Sequence, residues 1–163
     1  MGITFVQTGG TIDKDYPRAT GGYAFEFGEP ATARLLARWA PSFAFEVRTA
    51  CQKDSSELTD GDREQLVDLL RADPSRDFVV THGTDTLLET ARFLADRLEG
   101  YRVVLTGAMR PERFQDSDAA LNVGCAVGAL QVLGDGVYVA MHGVVGRPDE
   151  LRRNPTTHRF ERT

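Results

Sequence analysis

Cysteine is nearly absent. Cys51 and Cys125 are the only two in 163 residues, far too few to staple a small secreted scaffold, so the chain reads as the product of a reducing compartment. Neither sits in a Cys-x-x-Cys pair, and their small or apolar neighbours predict packed thiols with no part in catalysis. No apolar run approaches the length that crosses a bilayer, which argues against a membrane partner. Met1 to Val6 has neither the basic-then-apolar pattern of a secretory signal nor the Ser or Thr that myristoylation wants at position six. The expected location is the cytoplasm. Basic residues are outnumbered, 19 Lys and Arg against 24 Asp and Glu for a net charge of -5, and a chain with no basic footprint is not expected to bind nucleic acid. Neither Gly-x-Gly-x-x-Gly nor Gly-x4-Gly-Lys-Ser/Thr occurs, so no nucleotide fingerprint is present.

What remains is a composition of 41% hydrophobic and 26% charged residues, enough apolar material for one globular core, and the reading is a single domain over 1–163. Short β-branched and aromatic runs alternate with amphipathic stretches, the pattern of an α/β fold: an open, mostly parallel sheet with helices on both faces, of the flavodoxin or Rossmann type. Strands are predicted at Ile3 to Gln7, Phe43 to Thr49, Phe78 to Thr81, Arg102 to Leu105 and Val137 to Met141, each apolar enough for burial on both faces. Helices are predicted from Pro30 to Pro41, from Thr59 to Pro74, from a Thr86/Glu89 capping box to Gly100, and over Ala119 to Leu133, with Asp116 to Asp118 as the cap of the last. Residues 13–29 mix Gly21, Gly22, Gly28 and Pro17 with Tyr16, Tyr23, Phe25 and Phe27 and fit neither period, which predicts a mobile lid.

Four of the five strands run into a small polar turn with glycine: Thr8-Gly9-Gly10-Thr11, Thr81-His82-Gly83-Thr84-Asp85, Thr106-Gly107-Ala108 and His142-Gly143. In a parallel sheet such ends share one edge, where open α/β folds bind ligands. A threonine hydroxyl beside an acid is the conspicuous chemistry, and it needs a base or cation close by to become a nucleophile.

Thr8-Gly9-Gly10-Thr11-Ile12, Thr81-His82-Gly83-Thr84-Asp85-Thr86 and Thr106-Gly107-Ala108-Met109-Arg110-Pro111 together resemble the catalytic domain of bacterial-type L-asparaginases. The resemblance continues more weakly through Asp54-Ser55-Ser56, Asp118 to Asn122 and the carboxyl-terminal segment. It implies an amidohydrolase that converts L-asparagine, with L-glutamine as a second candidate substrate, without metal or cofactor. By the same resemblance Thr11 is the nucleophile, and Thr84 and Asp85 are the second threonine and its acid, Asp85 binding the substrate's α-amino group. Ser55, beside Asp54, holds the α-carboxylate; the backbone around Gly10, Gly83, Thr84 and Ala108 lines the substrate and oxyanion region. A loop tyrosine, Tyr23 or its rival Tyr16, assists Thr11. A homo-oligomer, a dimer or larger, is the family expectation.

Two departures qualify the match. The family's lysine falls on Arg153, which keeps the charge but is a poor base. Longer members carry a smaller second domain that completes the neighbouring protomer's site, and the sequence reaches Thr163 without one. Two rival readings follow: an asparagine- or aspartate-binding module, a degenerate relative with little turnover, and a nucleotide-dependent transferase on a similar fold. The histidines, His82, His142 and His158, read as structural rather than metal ligands, and Glu112 and Arg113 as solvated.

Overall fold

The computed structural model describes residues 2–18, 21–22 and 24–163. In chain order the strands are β1 (Gly2–Gly9), β2 (Lys14–Asp15), β3 (Glu26–Phe27), β4 (Ala44–Lys53), β5 (Asp77–Thr81), β6 (Arg102–Thr106), β7 (Gly136–Met141), β8 (Val144–Gly146), β9 (Leu151–Arg153) and β10 (Phe160–Arg162). The helices are α1 (Ala31–Trp39), α2 (Asp60–Ala72), α3 (Leu87–Ala95) and α4 (Ala119–Leu130). A six-stranded sheet has the order β4-β1-β5-β6-β7-β8; its first five strands are parallel and β8 turns back antiparallel to β7.

The two faces follow the period of two along each strand. Val6, Phe78, Val80, Val103, Leu105, Val137 and Val139 pack under Leu66, Val67 and Leu70 of α2 and Leu87, Ala91 and Leu94 of α3. Their neighbours Ile3, Phe5, Val79, Val104, Tyr138 and Ala140 pack under Leu35 and Leu36 of α1 and Val123, Ala126 and Leu130 of α4. The fold is therefore the expected one, an open, mostly parallel sheet with helices on both faces. Each fully buried large side chain, such as Phe5 or Phe78, contributes about 1.5–3 kcal/mol.

Several local expectations are corrected. β4 is the sheet's edge, and most of its residues are exposed; its apolar and β-branched residues suggest an interior strand, but nothing covers one side. The Thr86/Glu89 capping box does not form. Thr86 instead donates its hydroxyl to the Ser55 carbonyl at 2.8 Å, while Glu89 pairs with the buried Arg63. A complete box stands at α2, where the Thr59 side chain and Asp62 cap each other's backbone N–H groups. Asp118 does not cap α4 with its carboxylate, which accepts from the backbone N–H groups of Met109 and Arg110, and Asp116 pairs with Arg110. Glu112 is buried, with carboxylate oxygens 2.6 Å from Arg34 Nε and 2.5 Å from Arg38 Nη2. Both guanidiniums come from α1, far away in sequence. α4 stops at Leu130, three residues before the expected end.

Within residues 13–29 the chain makes a short antiparallel ribbon, Lys14 opposite Phe27 and Asp15 opposite Glu26. The Gly28 N–H returns to the Asp13 carbonyl at 3.0 Å. Both cysteines are free and half-buried, and burial pushes the Cys51 thiol's pKa up.

Candidate active site

Four strand ends meet backbone to backbone, and glycine is what allows it. Gly10, at φ 83°, lies so close to the β5 turn that a Cβ there would stand 2.4 Å from Gly83 N and Cα. A Cβ on Gly83 would stand 2.7 Å from Ser55 Cβ and Oγ, and one on Gly107 would stand 2.4 Å from the His82 carbonyl oxygen. The turns after β1, β4, β5 and β6 are thereby in contact, which brings Thr11, Ser55, Thr84 and Ala108 to one edge of the sheet.

The strand-end threonines before the turns do structural work. Thr8 donates its hydroxyl to the Thr81 carbonyl at 2.8 Å and Thr106 donates to Ala140 at 2.7 Å, both buried, so carbonyls that leave the ladder stay satisfied. Thr11 and Thr84 differ from them: among the described residues no hydrogen bond engages either hydroxyl. Thr11 opens a single 3₁₀ turn, Thr11–Asp13, and is half-buried, while Thr84 is nearly buried.

Asp85 is exposed and takes Arg153 Nη1 on Oδ1 at 2.5 Å. The register of β9 and β10, with Arg153 opposite Phe160, holds the arginine. Ser55 is buried and its Oγ accepts the Thr86 N–H at 3.4 Å. Asp54 is paired with Lys14 Nζ at 2.8 Å. Ala108 is buried; the N–H groups of Met109 and Arg110 just after it are occupied by Asp118, and Asn122 Nδ2 donates to the Gly107 carbonyl at 3.0 Å. Asn122 Oδ1 also accepts the His142 N–H, so this one amide ties the ends of β6 and β7 together. Tyr16 is exposed, its ring 6.0 Å from Phe25 and 6.2 Å from Phe114. Tyr23 lies outside the described residues. A cavity of about 310 Å³ borders Tyr16 and the ribbon. One of about 350 Å³ lies at the opposite end of the sheet, around Thr4 and Asp73, away from these turns. No cluster of three or more His, Cys, Asp or Glu side chains able to hold a metal occurs among the described residues, and no helix among them is long and apolar enough to cross a membrane.

Sequence reasoning missed Asp13. It is fully buried two residues after Thr11, accepts the Ala31 N–H at 2.7 Å, and so fastens the start of α1 to the Thr11 turn. Burial pushes its pKa up to about 6, against hydrogen bonds from Ala31, Gln7 and Thr81 and the charge of Arg34. Its sequence neighbours, Thr11, Lys14 and Asp15, are polar, so nothing local marks it as buried. His82 behaves as expected of a structural residue: it is buried, Nδ1 donates to the Gly83 carbonyl at 2.7 Å, and burial holds its pKa down near 4.

These two groups oppose each other. Asp13 binds its proton more tightly folded than unfolded, so its contribution to stability falls as pH rises from 3.8 to about 6. His82 binds its proton less tightly folded, so its contribution falls as pH drops from 6.5 to about 4. Each amounts to about 3 kcal/mol across its window. Relative to wild type, Asp13→Asn is therefore expected to lose about 3 kcal/mol more stability between pH 7 and pH 4, and His82→Asn to show the reverse. Urea unfolding across that range checks both signs.

With the geometry in place, comparison with known proteins is specific. The family model described as "Asparaginase, N-terminal" matches residues 2–160. A probable periplasmic L-asparaginase from Haemophilus influenzae is 42% identical over 84 residues, 49% of this chain and 24% of that protein. A glutamyl-tRNA(Gln) amidotransferase component from Pyrococcus abyssi is 34% identical over 154 residues, 88% of this chain and 34% of that protein. Among solved structures, the thermostable L-asparaginase from Thermococcus kodakarensis superposes with a TM-score of 0.87 at 25% identity, covering 99% of this chain and 51% of that one. The chain thus spans well under half the length of these curated relatives. The glycine-packed strand ends, the fold and the match over nearly every residue agree, and the chain belongs to the asparaginase family, corresponding to its amino-terminal domain.

Proposed function

We propose that the chain hydrolyses the side-chain amide of L-asparagine to L-aspartate and ammonia, with Thr11 as nucleophile. The observation that carries this reading is the glycine contact of the four strand ends, which gathers two unengaged threonine hydroxyls, an acid and a buried serine at one edge. Acyl transfer needs such a set: a hydroxyl to attack the amide carbonyl, a proton path, and donors for the oxyanion. In this reading the Thr11 hydroxyl attacks and ammonia leaves. Water, activated with the help of Thr84, then releases aspartate from the acyl-threonine. Asp85 receives the substrate ammonium, and Ser55, backed by the Asp54–Lys14 pair, receives the α-carboxylate. Backbone at Gly10, Gly83 and Ala108 lines the amide. The 13–29 segment serves as lid and supplies the assisting tyrosine, Tyr23 or Tyr16.

The test is ammonia release from L-asparagine without added metal, with L-glutamine and D-asparagine as comparisons and calorimetric binding in parallel. Ammonia from L-asparagine supports the proposal; binding without ammonia makes the chain an asparagine-binding module. One observation favours that second reading, since the Arg153 guanidinium sits on Asp85 and cannot serve as a base. Arg153→Lys is accordingly expected to raise kcat, by about tenfold or more if a base is wanted there. A fall in kcat would assign the guanidinium a role of its own.

A further inference from the structure

His142 sits where the sheet meets the β9–β10 hairpin, and one hydrogen bond fixes where its ring proton lies. The backbone there is left-handed, at φ 54°, and the His142 N–H is taken by Asn122 Oδ1. The ring faces the hairpin: Phe160 donates its backbone N–H to Nδ1 at 3.1 Å, and the two rings stand 5.9 Å apart. A ring nitrogen that accepts a hydrogen bond carries no proton, so the neutral imidazole keeps its proton on Nε2, which lies 4.0 Å from Asp118 Oδ2. Phe160 stands directly opposite Arg153 in the hairpin, and Arg153 Nη1 donates to Asp85 Oδ1 at 2.5 Å. A continuous series of contacts therefore runs from His142 through Phe160 and Arg153 to the acid.

We infer that His142 is a positioning residue for this site: with Nδ1 bare it holds the hairpin so that Arg153 stays on Asp85, and a proton on Nδ1 loosens that hold. Protonated Nδ1 points a donor at the Phe160 N–H, also a donor, and the new charge faces Arg153 and Arg159 of the hairpin. From the ring's other nitrogen Asp118 attracts it, and Asp118 is itself fixed by the N–H groups of Met109 and Arg110 and by Asn122 Nδ2. Repulsion and attraction thus both draw the ring off Phe160. Burial holds the His142 pKa below its usual 6.5, with the two arginines adding to this and Asp118 opposing it, so the ring is neutral at neutral pH and charges only in mildly acidic solution. The loosening is local, because the Phe160 side chain stays buried and Arg162 Nη2 still donates to the Val145 carbonyl at 2.8 Å. The catalytic consequence rests on the proposed hydrolysis: with Asp85 receiving the substrate ammonium, a displaced Arg153 costs the acid its orientation and weakens substrate binding more than it slows the chemistry.

NMR of the isotope-labelled full chain tests the series of contacts without reference to activity. Between about pH 8 and about pH 5, the Phe160 amide and the Arg153 Nε–H signals are expected to shift with the same midpoint as the His142 ring nitrogens, Nδ1 being the one that gains the proton. His142→Asn, chosen because asparagine tolerates a left-handed backbone, is expected to abolish the Arg153 shift. His158→Asn is expected to keep it; this histidine lies on the same hairpin and its carbonyl accepts from Arg153 Nε at 3.4 Å. Circular dichroism verifies the fold of both variants, and the wild-type titration alone decides if His142→Asn does not fold. In the kinetic arm, KM for L-asparagine is expected to rise about threefold or more toward acid pH in wild type, with a smaller change in kcat, and to stay flat in His142→Asn. An Arg153 signal that ignores the His142 titration, or that still shifts in His142→Asn, overturns the inference. So does a wild-type KM that stays flat while His142 titrates. A coupled Arg153 shift in a chain that releases no ammonia supports the contact series and overturns the hydrolysis instead.

Discussion

Thr11→Ala is expected to reduce ammonia release from L-asparagine on the order of a thousandfold or more, with no matching loss of stability. Thr11 is half-buried and its hydroxyl is engaged by no partner among the described residues, so removing it leaves no buried polar group stranded. Thr84→Val, which keeps the shape and removes only the oxygen, separates the two threonines. If Thr11 attacks and Thr84 activates water, the Thr84 variant forms the acyl-threonine slowly or holds it, and a single-turnover measurement distinguishes these. Full activity in Thr11→Ala would remove that residue from the chemistry and leave Thr84 as the candidate nucleophile.

A second large effect is expected from a residue with no functional group. Gly10→Ala forces an L side chain to φ 83° and sets its Cβ 2.4 Å from the Gly83 backbone. Neither neighbour is a flexible side-chain tip, so the β1 and β5 turns must part. The expected cost is about 3 kcal/mol or more, and activity should fall with it, because Thr11 and Thr84 no longer share one edge. Gly61→Ala is the matching control. It lies in the first turn of α2, where a Cβ meets only Thr59 Oγ1 at an ordinary 3.5 Å, and removal of glycine from a helix is expected to stabilise by about 0.5–1 kcal/mol. Thermal or urea unfolding of the pair reads the difference directly. A Gly10→Ala protein as stable and active as wild type would mean that the strand-end contacts do not assemble the site.

The strands and the turns that end them were legible in the sequence because they are local. A parallel strand covered on both faces must be a short apolar run, so β5, β6 and β7 announce themselves as Phe78-Val79-Val80, Val103-Val104-Leu105 and Val137-Tyr138-Val139. The Thr- and Gly-containing turns that follow can only lie at one edge. Chain order and residue type therefore determined the fold class and which turns face one another.

What depended on packing is every feature whose partner is distant in the chain. Nothing near Glu112 reveals that α1 delivers two arginines to it, so a charged loop residue read as solvated. Thr86 and Glu89 have the spacing of a capping box, yet Ser55 and Arg63, some thirty residues earlier, claim their side chains. β4 has strand-like residues but stands at the edge because of the order in which strands pair, a global property. Asp13 looks like any acid in a polar turn until α1 closes over it, and burial then raises its pKa and aims it at the Ala31 N–H. A sequence specifies such contacts only through the assembled fold, since hydrogen bonds and ion pairs form with whichever group the backbone brings within about 3 Å.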